Sequence, residues 1–169
     1  MRRTNAKVIA FGGMLAAVAM VIMNLGSLIP VATYACPVLC MVILGLVCSV
    51  CGARIGWAWY GAVSILSLIM APDREAAAVF LFLGYYPIIK PRLDRMKAGI
   101  MLKVLLFNVS VLVMYTLLIY VFGMAQIAAE YRDMGMVMTV LLLAAGNLTF
   151  FLTDRALNRF SIIGQKKGG

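Results

Sequence analysis

The residue types that usually carry catalysis or bind metals are scarce in this chain. It has no histidine, which removes the commonest general base and metal ligand. Its four cysteines are Cys36, Cys40, Cys48 and Cys51. Cys48 and Cys51 have the spacing of a metal or redox pair, but a second such pair or a histidine would be needed to complete a metal site. We interpret the cysteines as small apolar residues and expect no enzyme activity, no bound metal and no cofactor.

The carboxylates are equally unpromising for catalysis, because they fall in loops and at helix ends rather than in apolar segments. An ionisable residue inside a membrane segment is the usual sign of ion coupling, so ion-driven pumping by this chain alone is not expected. The chain also lacks a phosphate-binding loop motif. Any energy for transport would therefore have to come from a partner.

A set of polar residues lies toward one end of the apolar segments and could line a small outward-facing pocket. We select these as candidate substrate-binding residues: Asn24, Tyr34, Arg74, Tyr115 and Tyr120. For Arg74 a simpler interpretation remains open. The preceding Asp73 is a typical helix N-cap, which would leave Arg74 as its solvated neighbour.

The composition of the chain indicates which kind of secondary structure must hold these residues. The chain has 169 residues, of which 64% are hydrophobic and only 12% charged, whereas soluble domains have about 45–50% apolar and about 25% charged residues. Lipid must solvate most of this surface. The sequence predicts an all-α integral membrane protein, a compact six-helix bundle forming one domain over residues 1–169. The predicted helices are 9–29, 35–50, 55–71, 76–89, 101–124 and 134–151.

The positions of the charges predict how the bundle is oriented. The fourth predicted helix is short for a crossing and would have to stand upright or be completed by its flanks. If it does cross, all of the 15 basic residues except Arg74 and Arg132 lie on the same side as both termini. Because basic residues in short loops stay cytoplasmic, both ends are predicted to be inside. The net charge of +9 then indicates contact with membrane lipid headgroups rather than with nucleic acid.

Two helix–helix contacts are predicted from the polar and small residues. Asn108 and Asn147 lie at matching depths in the fifth and sixth helices, so we expect an interhelical hydrogen bond between them. The first helix carries small residues at steps of four, three and four, which place them on one face. This small-residue face consists of Ala6, Ala10, Gly13 and Ala17. It could dock another membrane subunit or make an internal contact within the bundle.

Taken over its whole length, the chain resembles the substrate-binding S components of energy-coupling factor transporters of bacteria. The resemblance lies in the size, the six helices, the inside termini, the basic surround and the small-residue face. It implies a multi-pass protein of the bacterial plasma membrane that captures a vitamin-like small-molecule solute on the outside. It also implies docking of the small-residue face on a coupling transmembrane subunit, which works with two ATPases. The alternative is a small membrane scaffold or assembly factor that binds other membrane proteins.

Overall fold

The structure is a bundle of helices, most of which are long enough and apolar enough to cross a membrane. The computed structural model describes residues 2–26, 32–96, 99–120 and 140–158, and regular structure within these ranges is helical. The helices are α1 (Arg2–Leu25), α2 (Ala32–Cys51), α3 (Ala53–Met70), α4 (Arg74–Leu83), α5 (Tyr86–Leu93), α6 (Gly99–Tyr120) and α7 (Val140–Asn158). By length and composition α1, α2, α3, α6 and α7 can each span a bilayer. The chain is therefore a multi-pass membrane protein.

Several predicted helix ends differ from the observed ones. The first helix begins near the chain start and takes in its basic residues, and the last continues past 151 to Asn158. Both extensions contain charged residues, so they fall outside the uncharged stretches on which the predicted helices are based. The helices nevertheless continue through them. The predicted stretches 27–29, 121–124 and 134–139 lie outside the described residues.

The largest difference concerns the fourth predicted helix, which the structure divides into α4 and α5. Pro87 has no N–H to donate to the carbonyl of Leu83, so the regular helical pattern is interrupted there. The Ile88 amide bonds instead to the carbonyl of Tyr85, at 3.0 Å. Gly84 and Tyr85 nevertheless keep right-handed helical dihedral angles. The break is thus a local defect in a helical stretch over residues 74–93.

The core is formed where α1, α2, α3, α4 and α6 meet. Each helix contributes a side chain that is almost completely buried: Met23, Leu44, Val63, Phe80 and Met114. The short α4 lies at the centre, and residues 76–80 are all buried. Three of them are alanines, which allow the neighbouring helices to approach closely. A smaller cluster of Tyr86, Leu93 and Leu157 joins α5 to α7.

The predicted hydrogen bond between the fifth and sixth predicted helices, now α6 and α7, is confirmed. The Asn108 amide donates to Asn147 Oδ1 at 3.1 Å, and the Asn147 amide donates back to Asn108 Oδ1 at 3.3 Å. Next to this pair, the rings of Phe107, which precedes Asn108, and Phe150, which follows Asn147 by three residues, stack with centroids 4.8 Å apart. The amide pair therefore fixes the depth at which these two helices pack.

Candidate functional site

Two phenols and a carboxylate from three helices meet near the starts of α2 and α4, at the end of the bundle that the predicted topology places outside. Tyr34 and Tyr115 both donate to the same oxygen, Glu75 Oε1, at 2.8 and 2.9 Å. Their own hydroxyl oxygens are 3.1 Å apart. We call Tyr34, Glu75 and Tyr115 the outer triad. Tyr34 is 47% exposed, while Glu75 and Tyr115 are half-buried, so the triad can be reached from solution.

Local sequence holds Glu75 in this position. Asp73 is the N-cap of α4, and its Oδ1 accepts the amides of Glu75 and Ala76 at 3.0 and 3.1 Å. This confirms the predicted cap. The other carboxylate oxygen of Asp73 accepts the hydroxyl of Thr33 at 2.7 Å, which ties the start of α4 to the first turn of α2. Glu75 is consequently fixed where Tyr34, one residue after Thr33, can bond to it.

The structure brings together two of the five candidate substrate-binding residues. Tyr34 and Tyr115 join the outer triad, whereas the Asn24 amide donates to the Met20 carbonyl of its own helix at 2.8 Å. Arg74 borders a separate apolar cleft between α3, α4 and α6. The side chain of Tyr120 lies outside the described part of the structure.

Glu75 is the member of the triad that sequence reasoning missed as a site residue. An acid in the first turn of a helix is common because it interacts favourably with the helix dipole, so its residue type alone does not mark a site. The predicted topology already placed residues 34, 75 and 115 toward one end of the bundle. Their matching depths, like those of Asn108 and Asn147, are the signal in the sequence that points to this contact.

The chemistry of the outer triad is that of a carboxylate held by neutral donors. Among the described residues, the ion pairs within 4 Å involve Lys90, Lys103, Asp94 and Asp154, so no cation neutralises Glu75 there. Phenol oxygens can accept as well as donate hydrogen bonds, and aromatic faces attract cations. The triad therefore suits a solute with an ammonium or hydroxyl group.

A second polar cluster lies at the opposite end of the bundle, where α5, α6 and α7 meet. Asp154 accepts hydrogen bonds from Tyr86 and Lys90, and Lys103 Nζ lies 3.2 Å from its Oδ1. Asp94 pairs with both lysines, at 3.3 Å from Lys90. We call these five residues the inner cluster. The two lysines are buried, at 5% and 7% exposed, so the carboxylates are needed to balance them.

The inner cluster corrects one expectation from the sequence. The last helix was predicted to end at 151, which placed Asp154 beyond the apolar segment. In the structure Asp154 lies within the spanning helix α7, and Lys103 lies within the spanning helix α6. The helices long enough to span a membrane therefore contain ionisable residues. These residues lie near the ends of α6 and α7 and pair with one another.

The small-residue face of α1 is uncovered in the described part of the bundle. Ala6, Ala10, Gly13 and Ala17 are all exposed, and a Cβ added at Gly13 would meet nothing within 4 Å. The adjoining Gly12 is different, because the indole of Trp59 donates to its carbonyl at 3.0 Å and it is buried. Within the described residues, the four positions of the face are thus exposed rather than packed against another helix.

The cysteines are packing residues, and two of them also make weak hydrogen bonds to α1: the thiols of Cys40 and Cys51 donate to the carbonyls of Ala19 and Val8 at 3.6 and 3.7 Å. All four are free thiols; Cys36 and Cys40 are buried, and Cys48 and Cys51 are half-buried. A Cβ at Gly56 would overlap the Cys48 sulfur, so that sulfur fills the space beside the glycine. No group of three or more potential metal-ligating side chains occurs among the residues that the structure describes.

Comparison with protein families, with curated proteins and with solved structures gave no match. The fold and the site define a multi-pass helical membrane protein with a reachable carboxylate at one end and a buried ion-pair cluster at the other.

Proposed function

We propose that this chain is the substrate-capture subunit of an ATP-driven uptake system for a vitamin-like micronutrient in the bacterial plasma membrane. The observation that supports this most directly is the convergence of Tyr34, Glu75 and Tyr115 from α2, α4 and α6. A carboxylate without a cationic partner in the described structure, reachable from solution, suits the capture of a polar solute. The chain itself supplies no nucleotide-binding motif, so the energy would come from partner subunits.

The proposal includes six crossings with both termini in the cytoplasm. Residues 74–93 form a nearly continuous helical stretch, and its length matches the ~20 residues that a crossing needs. Asp73 and Glu75 lie at one of its ends, and Lys90 and Arg92 lie at the other. This distribution of charge agrees with the rule that basic residues stay inside.

Docking on a coupling transmembrane subunit would use the small-residue face of α1. In lipid, small residues allow close approach of helix backbones, and packing rather than hydrophobicity drives the association. The exposure of Ala6, Ala10, Gly13 and Ala17 leaves this face available to such a subunit. In this proposal the coupling subunit would in turn bind the two ATPases.

The uncovered face also favours a second candidate, a membrane scaffold or assembly factor. A scaffold needs the docking face but has no use for a reachable carboxylate between two phenols. The two candidates therefore differ at the outer triad and in the partners recovered.

Solute binding is tested by purifying the protein from its native membrane and identifying co-purified small molecules by mass spectrometry. Wild type is compared with Glu75→Gln and Tyr115→Phe. Thr116→Val is the matched control, because it removes the next hydroxyl on α6, which bonds only within its own helix in the described contacts. We expect a molecule that is retained by wild type and by the control and is reduced about tenfold or more in both triad variants.

The same preparations test the partners. Gly13→Leu and Ala17→Leu should release a coupling membrane subunit and two ATPases, whereas Ala62→Leu, at an exposed site on α3, should not. Recovery of stable partners without ATPases and without a retained solute would overturn the transport proposal in favour of the scaffold. A retained solute that both triad variants hold as tightly as wild type would place the binding site elsewhere.

A further inference from the structure

An apolar cleft with one cationic residue at its edge lies between α3, α4 and α6. Its volume is about 60 Å³, and its lining includes Leu68 of α3, Leu81 and Phe82 of α4, and Met114 and Leu117 of α6. Leu68 is exposed, so the cleft opens on the lipid-facing surface of the bundle. Arg74 is the charged residue in its lining.

The sequence of α4 produces this arrangement. Arg74, Ala78, Leu81 and Phe82 follow one another at i, i+4, i+7 and i+8, so they share one face of the helix. The small side chain of Ala78 leaves room between the larger ones. Arg74 is the first residue of α4. In the proposed crossing of residues 74–93 its guanidinium would therefore lie at the membrane boundary, and the rest of the face would continue toward the hydrocarbon.

Arg74 is exposed and forms no ion pair within 4 Å among the described residues. The neighbouring carboxylates are engaged elsewhere, Asp73 with Thr33 and the helix amides and Glu75 with the two tyrosines. Neither of them lines the cleft. The guanidinium is therefore available to an anion at the headgroup level.

We propose that this cleft binds an outer-leaflet phospholipid, with its phosphate on Arg74 and a segment of one acyl chain between α4 and α6. Arginine matches phosphate in charge and in its fork of donors. A volume of about 60 Å³ holds only a few methylene groups, so the remainder of the chain lies along the exposed surface of α3 and α6. The site takes one anionic headgroup and one chain segment together, which distinguishes it from loose contact with surrounding lipid.

The proposal is tested on the full-length protein in mild detergent by native mass spectrometry. The protein is titrated with phosphatidylglycerol, and in parallel with a diacylglycerol that carries the same chains but no phosphate. We expect one tightly bound phosphatidylglycerol and about tenfold weaker binding of the diacylglycerol. Inorganic phosphate, added as a competitor, should not displace the lipid.

Two pairs of variants locate the site. Arg74→Gln should weaken phosphatidylglycerol binding about tenfold, while Arg54→Gln, an exposed arginine at the start of α3, should not. Leu117→Trp should fill the cleft and weaken binding similarly, while Leu112→Trp, at a 70% exposed position of the same helix, should not. Circular dichroism confirms that each variant keeps its helical content.

Equal retention of the two lipids, or no change with Arg74→Gln and Leu117→Trp, would show ordinary surrounding lipid and overturn the proposal. Displacement by inorganic phosphate alone would show a free-phosphate site and overturn it as well. The inference rests on the proposed crossing of residues 74–93 and on the proposed orientation, but it uses no residue of the outer triad, so neither result bears on the triad or its solute.

Discussion

The two ends of the bundle hold a carboxylate in opposite ways. At the inner end, Asp154 lies between two buried lysines and a phenol, and Asp94 balances the remaining charge. At the outer end, Glu75 accepts two phenols and has no cation within 4 Å in the described structure. The inner arrangement joins three helices by charge neutralisation. The outer arrangement orients a charge with two neutral donors and no cation within 4 Å in the described structure.

The largest effect is expected from removing the inner carboxylate. Asp154→Asn leaves Lys90 and Lys103 buried with only Asp94 to balance them. Breaking a buried pair by removing one partner typically costs 3–5 kcal/mol, so we expect the free energy of unfolding to fall by about 3 kcal/mol. Denaturant or thermal unfolding in detergent, followed by circular dichroism, measures this.

The matched control is Asp94→Asn, which removes the same charge from the same two lysines. The side chain of Asp94 is 40% exposed against 16% for Asp154, so water can replace more of its contribution. We expect a clearly smaller loss. An equal or larger loss at Asp94 would mean that burial does not determine the stability of the inner cluster.

The next effect concerns the cap that positions the outer triad. Asp73→Ala removes the N-cap of α4 and the bond to Thr33, so we expect a loss of about 1–2 kcal/mol. Asp73→Asn keeps an oxygen acceptor for both amides and should retain most of the stability. If the two variants were equally destabilised, the negative charge rather than the cap would be holding the start of α4.

A smaller effect is expected at the amide pair between α6 and α7. Asn108→Ala should lower stability by about 0.5–2 kcal/mol, since interhelical hydrogen bonds in membranes have modest strength. A double-mutant cycle with Asn147→Ala isolates the pair. Additive losses would show that the two amides bond to their own helices and contribute nothing to each other.

Sequence reasoning succeeded where the signal was local or where two residues share a depth. The sequence predicts Asp73 as a cap because capping depends on the first turn alone. The hydrogen bond between Asn108 and Asn147 can be predicted because the two residues lie at the same depth in adjacent helices. The division of the fourth helix depends on the missing N–H of Pro87, which a count of apolar residues does not register. The inner cluster was missed because Asp154 was placed beyond the end of the span, although α7 continues through it.

The smallest change in stability is expected at the outer triad, and it is also the most informative about function. Glu75→Gln keeps an oxygen that can accept both phenols, and it breaks no ion pair within the described residues. We therefore expect the free energy of unfolding to change by no more than about 0.5 kcal/mol, against about 3 kcal/mol at Asp154. The same unfolding measurement, made on both variants in one detergent, gives the comparison. A loss of 2 kcal/mol or more at Glu75 would make its charge a structural requirement of the bundle and remove the main support for solute capture there. A negligible loss would mean that the bundle does not need this charge for stability, as expected of a carboxylate that contacts a solute.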